Sequence, residues 1–217
     1  MRRGLFITFE GPDGTGKSTQ IARVKEWLGE KGYDVMTTRE PGGTEVGEAV
    51  RRILLDSRTK GLAPRAEMAL MFASRAQQIA EVIRPNVEAG RVVLCDRFTD
   101  SSEAYQGFGR GLGSETILGM HHLVCEDLQP DLTILLMFAD PAESLERAQQ
   151  RNAVAAHDES RFEAEGAAFQ RRVAEGFLAI AQREPERVKV IDAAGSVDEV
   201  HAAVVALVEA VLTKSNA

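Results

Sequence analysis

Gly11-Pro12-Asp13-Gly14-Thr15-Gly16-Lys17-Ser18 stands between the apolar run Leu5-Phe6-Ile7-Thr8-Phe9 and a helical pattern of Ile21, Val24, Trp27 and Leu28. Strand, glycine-rich turn, lysine, hydroxyl and helix, in that order, are what a phosphate-binding loop requires. The glycines let the backbone curl until successive N–H groups converge on one anion. A helix beginning near Lys17 adds its positive end. Lys17 offsets phosphate charge, and the Ser18 hydroxyl is placed to ligate Mg²⁺. An ordinary glycine turn would not need the strand before it or the helix after it.

With 217 residues, one domain with a small mobile insert is expected. Hydrophobic residues make up 44% and charged residues 27%, as in a globular protein with a sizeable core. The 33 acidic residues outnumber the 26 basic ones, for a net charge of −7. That balance argues against a general binder of nucleic-acid backbones, which needs a basic face. It leaves room for a small anion held by a few local arginines. Cys95 and Cys125 are too few for a disulfide scaffold. The N-terminal apolar run is too short for a signal peptide, and no run approaches a membrane span. A cytosolic, cytoplasmic protein with reduced thiols is expected.

Strands are expected at Leu5–Glu10, Tyr33–Thr38, Arg91–Asp96, Leu132–Phe138 and Val188–Asp192. Helices are expected from about Lys17 to Lys31, closed by Gly32, from Glu45 to Leu55, and from near Pro64 with a kink or restart at Pro85. Further helices are expected over Ile117–Glu126, with Ser114 as cap, Pro141–Arg151, Phe162–Gln182 and Val197–Leu212. Thr99–Gln106 reads as a polar segment and Gly107–Gly113 as a glycine-studded loop. Residues 152–160 are polar without a clear period, as a flap (LID) would be, with the insert spanning about 150–161. The alternation implies an α/β fold, a five-stranded, mostly parallel sheet with helices on both faces. Ligands of such sheets sit at the carboxyl ends of the strands. The breaker-rich turns after strands one, two, three and five lie there.

Two further elements carry charge to that edge. Asp96-Arg97 closes strand three, where the acid would reach the water shell of Mg²⁺ and the arginine can fork onto a phosphate. Arg39 closes strand two in Thr38-Arg39-Glu40-Pro41-Gly42-Gly43-Thr44. Two phosphates held close together need several cations. Either arginine alone would more often be a solvated charge.

Phe9 to Thr19, Thr38 to Thr44, and Asp96-Arg97-Phe98-Thr99-Asp100-Ser101-Ser102-Glu103-Ala104-Tyr105-Gln106-Gly107 together resemble the bacterial thymidylate kinases, a family of P-loop nucleoside monophosphate kinases. The order and spacing run through essentially the whole chain, and the segment from Asp96 is the most specific. The resemblance implies transfer of the γ-phosphoryl group of ATP to dTMP, giving dTDP for dTTP synthesis. It also implies a P-loop NTP hydrolase fold, Mg²⁺ and a homodimer formed through helices. ATP would be gripped by Gly11, Pro12, Asp13, Gly14, Thr15, Gly16, Lys17, Ser18 and Thr19. Ser18 and Asp96 would serve the metal, and Arg39 and Arg97 the acceptor phosphate.

The resemblance also places a phenylalanine against thymine and an arginine on its carbonyl edge. Phe72 and Arg75 match and share a helix face. On their own they would read as a core phenylalanine beside a surface arginine. Tyr105 resembles the tyrosine that crowds the sugar 2′ position, and Gln106, Ser101 and Ser102 residues near the base. Asp13 resembles the acid that meets the sugar 3′-hydroxyl or the acceptor-phosphate arginine.

No basic residue lies between Pro12 and Thr15, so the closing arginine is sought in the flap among Arg147, Arg151 and Arg161, with Arg151 the first choice. Phe138 and Ser160 stand where relatives usually carry acids. Asp140 either substitutes for the first or caps the next helix. His121, His122 and Cys125 lack a second ligand pair for zinc. A guanine-nucleotide switch would need an Asn-Lys pair, which does not occur. Asp192-Ala193-Ala194-Gly195 has a switch-like spacing but comes late in the chain. It is expected beside adenine.

Overall fold

Alternation of side chains decides which strands can be central. In a computed structural model describing residues 3–59, 61–140, 143 and 161–216, the strands are β1 (Phe6–Glu10), β2 (Val35–Arg39), β3 (Val92–Asp96), β4 (Leu132–Met137) and β5 (Val188–Asp192). They form one parallel sheet in the order β2-β3-β1-β4-β5. β1 and β4 are buried along their whole length, as near-continuous apolar runs require. The edge strands β2 and β5 are only partly covered.

The helices are α1 (Lys17–Glu30), α2 (Glu45–Leu55), α3 (Pro64–Gln78), α4 (Arg84–Glu88), α5 (Thr99–Ser102), α6 (Ser114–Cys125), α7 (Ala167–Arg183) and α8 (Val197–Asn216). One sheet face, with Ile7, Phe9, Leu94, Ile134 and Leu136, packs on Val24 and Leu28 of α1 and Val204 and Val208 of α8. On the other face, Phe6, Val93 and Cys95 meet Phe72 and Ile83. Leu135 and Met137 meet Val173, Phe177 and Ile180 of α7. Successive residues of each strand thus serve opposite layers, as the period of two dictates.

Three expectations change. The stretch after β3 is helical: α5 runs directly into a π-helical turn over Glu103–Gly109. Its glycines suit packing rather than a loop, since a Cβ on Gly109 would sit 2.7 Å from the Phe169 ring. Ser114 is the first residue of α6, and Gly113, at φ 81, precedes it without a side-chain cap. A π-helical turn, Ile79–Ile83, joins α3 to α4 ahead of Pro85. Apart from residue 143, the expected helix over 141–151 and the flap up to residue 160 lie outside the described residues.

A polar chain crosses the sheet under β1 and β4. Thr8 and Thr133 are register partners with hydroxyls 2.7 Å apart. Arg187 donates to Thr133 at 2.7 Å and to both oxygens of Asp100 at 2.7 and 2.9 Å. This ties α5, which carries the residues after Arg97, to the start of β5. Removing one partner of a buried pair leaves an uncompensated charge. Arg187→Met should therefore lower unfolding free energy by roughly 3–5 kcal/mol, read as a lower urea midpoint with unchanged slope. A midpoint matching the parent protein would refute this anchoring.

Candidate active site

The chain leaves β1 towards one edge of the sheet and fills the other from β4, so the carboxyl end of β1 opens a crevice. Residues 11–16 turn there. Gly11 has φ 127, and a Cβ would lie 2.1 Å from the Leu136 carbonyl oxygen. Only glycine allows the loop to pass that close to β4. Gly16, at φ 91, delivers the chain into α1. Thr15 donates to the Pro12 carbonyl at 3.0 Å. The buried Lys17 ammonium donates to the Gly11 and Pro12 carbonyls at 3.0 and 2.8 Å. Burial and the neighbouring Arg97 push its pKa down to about 8.

Beside the loop lies a cleft that opens to solvent, with about 660 Å³ of space when its open mouth is included. Asp13, Glu40, Arg75, Arg97, Ser101, Ser102, Tyr105 and Gln106 line it. Arg97 has the left-handed φ of 70. It donates to Asp13 at 2.8 Å and to Ser101 at 2.9 Å, and its guanidinium lies 5.1 Å from the Tyr105 ring centroid. The Arg97–Asp13 contact joins the phosphate loop to the cleft. The Tyr105 hydroxyl also points at Asp13, at 3.5 Å.

Deep in the cleft, Arg75 is fully buried, with its guanidinium 4.7 Å from the Phe72 ring centroid. It donates from Nε to Glu40 at 2.5 Å and from Nη2 to the Phe98 carbonyl and Ser102. Burial pushes the Glu40 carboxyl up to about 7, against the pull of Arg75. Three buried atoms on this wall lack a hydrogen-bond partner among the described residues: Glu40 Oε1, Arg75 Nη1 and Gln106 Oε1. Unsatisfied buried polar groups are costly, and these three belong to side chains that line the cleft.

Ser101 is committed inward, donating to Glu10. Glu10, whose carboxyl burial and Asp100 push up to about 8, also accepts the Phe98 N–H at 2.6 Å. Ser102 serves the cleft by orienting Arg75.

Some expected residues stand elsewhere. Phe72 is fully buried in the core with Phe6, Ile79 and Phe98 and is not among the residues lining the cleft; its neighbour Met71 is. The simpler reading, a core phenylalanine, describes its place, whereas Arg75 is no surface arginine. Arg39 is exposed, paired with Glu48 at 3.1 Å, and lines a separate groove with Ser18 and Asp96. Asp96 Oδ1 is buried there with no partner among the described residues. A carboxylate oxygen without a described partner and a hydroxyl lining the same groove are donor types that fit Mg²⁺.

Arg151 and Arg147 lie outside the described residues. Arg161 is buried and donates to Glu67 at 2.8 Å and to the Leu54 carbonyl. Phe138 is buried in the core. His121 and His122 diverge: the first is buried against Thr99 at 2.9 Å, its pKa pushed down to about 4 chiefly by burial, and the second is exposed beside Asp127.

Arg51, Leu55, Met71 and Phe162 also line the cleft and were not singled out in the sequence. Arg51 and Leu55 are four apart on α2 and so share a face. Arg51 donates to the Pro41 carbonyl at 2.9 Å.

A family model described as thymidylate kinase matches residues 9–204. A thymidylate kinase from Desulfovibrio desulfuricans is 49% identical over 198 residues, covering 90% of this chain and 91% of that one. One from Solidesulfovibrio magneticus is 50% identical over 202 residues, covering 92% and 96%. The crystal structure of thymidylate kinase from Ehrlichia chaffeensis superposes with a TM-score of 0.75 at 33% identity, covering 95% of this chain and 99% of that one. With the phosphate loop joined through Arg97 to a small-molecule cleft, and with the family model spanning all three motifs, the chain belongs to the thymidylate kinase family.

Proposed function

We propose that this protein transfers the γ-phosphoryl group of ATP to dTMP, giving ADP and dTDP, across the Asp13–Arg97 bridge. That 2.8 Å contact is the observation carrying the reading, because it sets the loop that grips the donor against the cleft that holds the acceptor. Residues 11–19 wrap the ATP phosphates, with Lys17 exchanging its carbonyl partners for phosphate oxygens. Arg97 serves the acceptor phosphate, and Arg39 would join it only by leaving Glu48 in the neighbouring groove; Asp13 meets Arg97 and the sugar, and Tyr105 crowds the sugar. Arg75 and Gln106 face the base, Ser101 and Ser102 hold the two arginines in place, and the base ring lies against the helix carrying Met71, which lines the cleft, and Phe72, whose ring centroid is 4.7 Å from the Arg75 guanidinium.

Ser18 and Asp96 would hold Mg²⁺, which supplies charge neutralisation between the phosphates when bound. Phosphoryl transfer is mainly positioning and charge stabilisation. A phosphate monoester with a second pKa of about 6 is already largely dianionic at neutral pH, so no general base is needed. Arg151 is the proposed closing arginine, since Arg161 is committed to Glu67. The loop at Asp192–Ser196 is proposed to flank adenine. Its neighbour Val197 accepts from Gln20 of α1 at 3.1 Å.

A cytoplasmic homodimer is proposed on two grounds. No helix among the described residues is long and apolar enough to cross a membrane. Apolar side chains are exposed on α2 and α6, with Val46 at 49%, Ile53 at 47% and Leu123 at 76%.

A coupled ADP-release assay with Mg²⁺·ATP and dTMP, dUMP, dCMP, AMP or GMP tests the acceptor. The highest kcat/KM is expected with dTMP, and a higher value with any other would overturn the assignment. Sedimentation should give a dimer at micromolar concentration that Ile53→Glu dissociates; a monomeric parent protein would refute it.

Lys17 gives a pH signature. Bound phosphate favours the ammonium and returns its pKa towards the ordinary 10.5. Below about pH 8 the lysine is charged in both states and no proton moves; above it, binding must restore the proton. ATP affinity should therefore fall as pH rises past about 8, with proton uptake seen by calorimetry in buffers of different ionisation enthalpy. Lys17→Met should abolish the uptake and most turnover while keeping its circular dichroism. Uptake that survives this substitution would sink the assignment.

A further inference from the structure

Glu67, on α3, lies outside the motifs that define the site, yet its side chain is completely buried and four donors converge on it. Gln106 Nε2 donates at 2.9 Å, Arg110 at 3.2 and 3.0 Å, and Arg161 at 2.8 Å. Arg110 also pairs with Glu165 at 2.6 Å. We infer that Glu67 is a positioning residue for base selection: it fixes the Gln106 amide with its oxygen facing the cleft.

A side-chain amide has a donor end and an acceptor end, and packing alone rarely distinguishes them. A carboxylate accepts only, so the NH₂ of Gln106 must turn towards Glu67. Gln106 Oε1 is then left buried without a partner among the described residues, in a side chain that lines the cleft. Arg75 Nη1 is likewise buried and without a partner there, while Nε and Nη2 are committed to Glu40, Phe98 and Ser102. Glu40 Oε1 is a second acceptor on the wall.

A base meeting these groups finds one fixed donor at Arg75 and an acceptor at Gln106. The imide edge of thymine or uracil, a carbonyl beside a ring N–H, complements both. The cytosine edge presents an amino group to the guanidinium and a bare ring nitrogen to the amide oxygen, leaving both mismatched. A site built to pair polar groups rejects such a partner strongly. Turning the amide over would remove the acceptor half of that selection, and the Glu67 carboxylate prevents it.

This inference rests on the cleft being the nucleobase site proposed above. Its test is kcat and KM for dTMP and dCMP in the parent protein and three variants. Glu67→Gln is nearly isosteric, but its own amide can donate as well as accept, so Gln106 is no longer held one way. The dTMP:dCMP ratio of kcat/KM should fall about tenfold, carried by a higher KM for dTMP with little change in kcat. Gln106→Met should lower the ratio similarly. In Glu67→Gln/Gln106→Met the first substitution should add nothing to the ratio.

If Glu67→Gln does not fold, Glu67→Asp, which keeps the charge for Arg110 and Arg161 but withdraws the oxygens from the amide, carries the same expectation. An unchanged ratio with kcat reduced equally for both substrates would overturn the inference, as a purely structural role. So would a full effect of Glu67→Gln on the Gln106→Met background. An intact ratio in Gln106→Met would do the same and move the acceptor to Glu40. A parent protein that does not prefer dTMP would instead refute the function proposed for the cleft.

Discussion

The carboxyl group of Glu10 is the constraint on which the site depends. It ends β1, lies fully buried, and accepts the Phe98 N–H and the Ser101 hydroxyl. Those two donors belong to the turn that follows β3, so one side chain clamps the carboxyl ends of adjacent strands. The next residue is Gly11, where the chain must swing past Leu136 into the phosphate loop. Arg97 is caught between the two. Its N–H is fixed to the Phe9 carbonyl at 2.9 Å, and its left-handed φ sends the guanidinium back over the loop to Asp13. Such a conformation in a bulky residue costs about 1–3 kcal/mol and persists only where surrounding contacts over-determine it. Here they do, at the residue that bridges loop and cleft.

Much of this architecture was legible from the chain. Continuous apolar runs marked β1, β3 and β4, and breaker clusters marked the ligand edge, because burial and turn chemistry act locally. The segment after β3 was not legible. Its serines and glycines resemble a loop, but they form α5 and a π-helical turn, since Gly109 and Gly176 let that turn approach α7 closely. That is a tertiary reason with no local periodicity behind it.

The lining of the cleft was legible by chemistry more than by address. Arg75 and Gln106 line the cleft. Of the adjacent pair Met71 and Phe72, however, the aromatic faces the core and the thioether the cleft. Two consecutive apolar residues on a buried helix cannot be told apart without knowing which layer each one meets. Glu67 was passed over for a similar reason. An acid in the first turn of α3 reads as a partner for the helix dipole, and only the fold brings Gln106, Arg110 and Arg161 to it.

A protein of net charge −7 that handles two polyanions must concentrate cations locally, and the way they are paired sets how each can act. Arg75 and Arg97 are bound to the carboxylates of Glu40 and Asp13. Giving up either partner would strand a buried or half-buried charge, so these arginines stay in place and meet a ligand with their remaining donors. Lys17 is held by two neutral carbonyls instead. Exchanging those for phosphate oxygens leaves no charge unpaired and replaces ordinary hydrogen bonds by charge-assisted ones, roughly twice as strong. The two arginines are thus held by carboxylates and the lysine by neutral carbonyls, the pairing that the proposed exchange of Lys17 onto nucleotide phosphate requires.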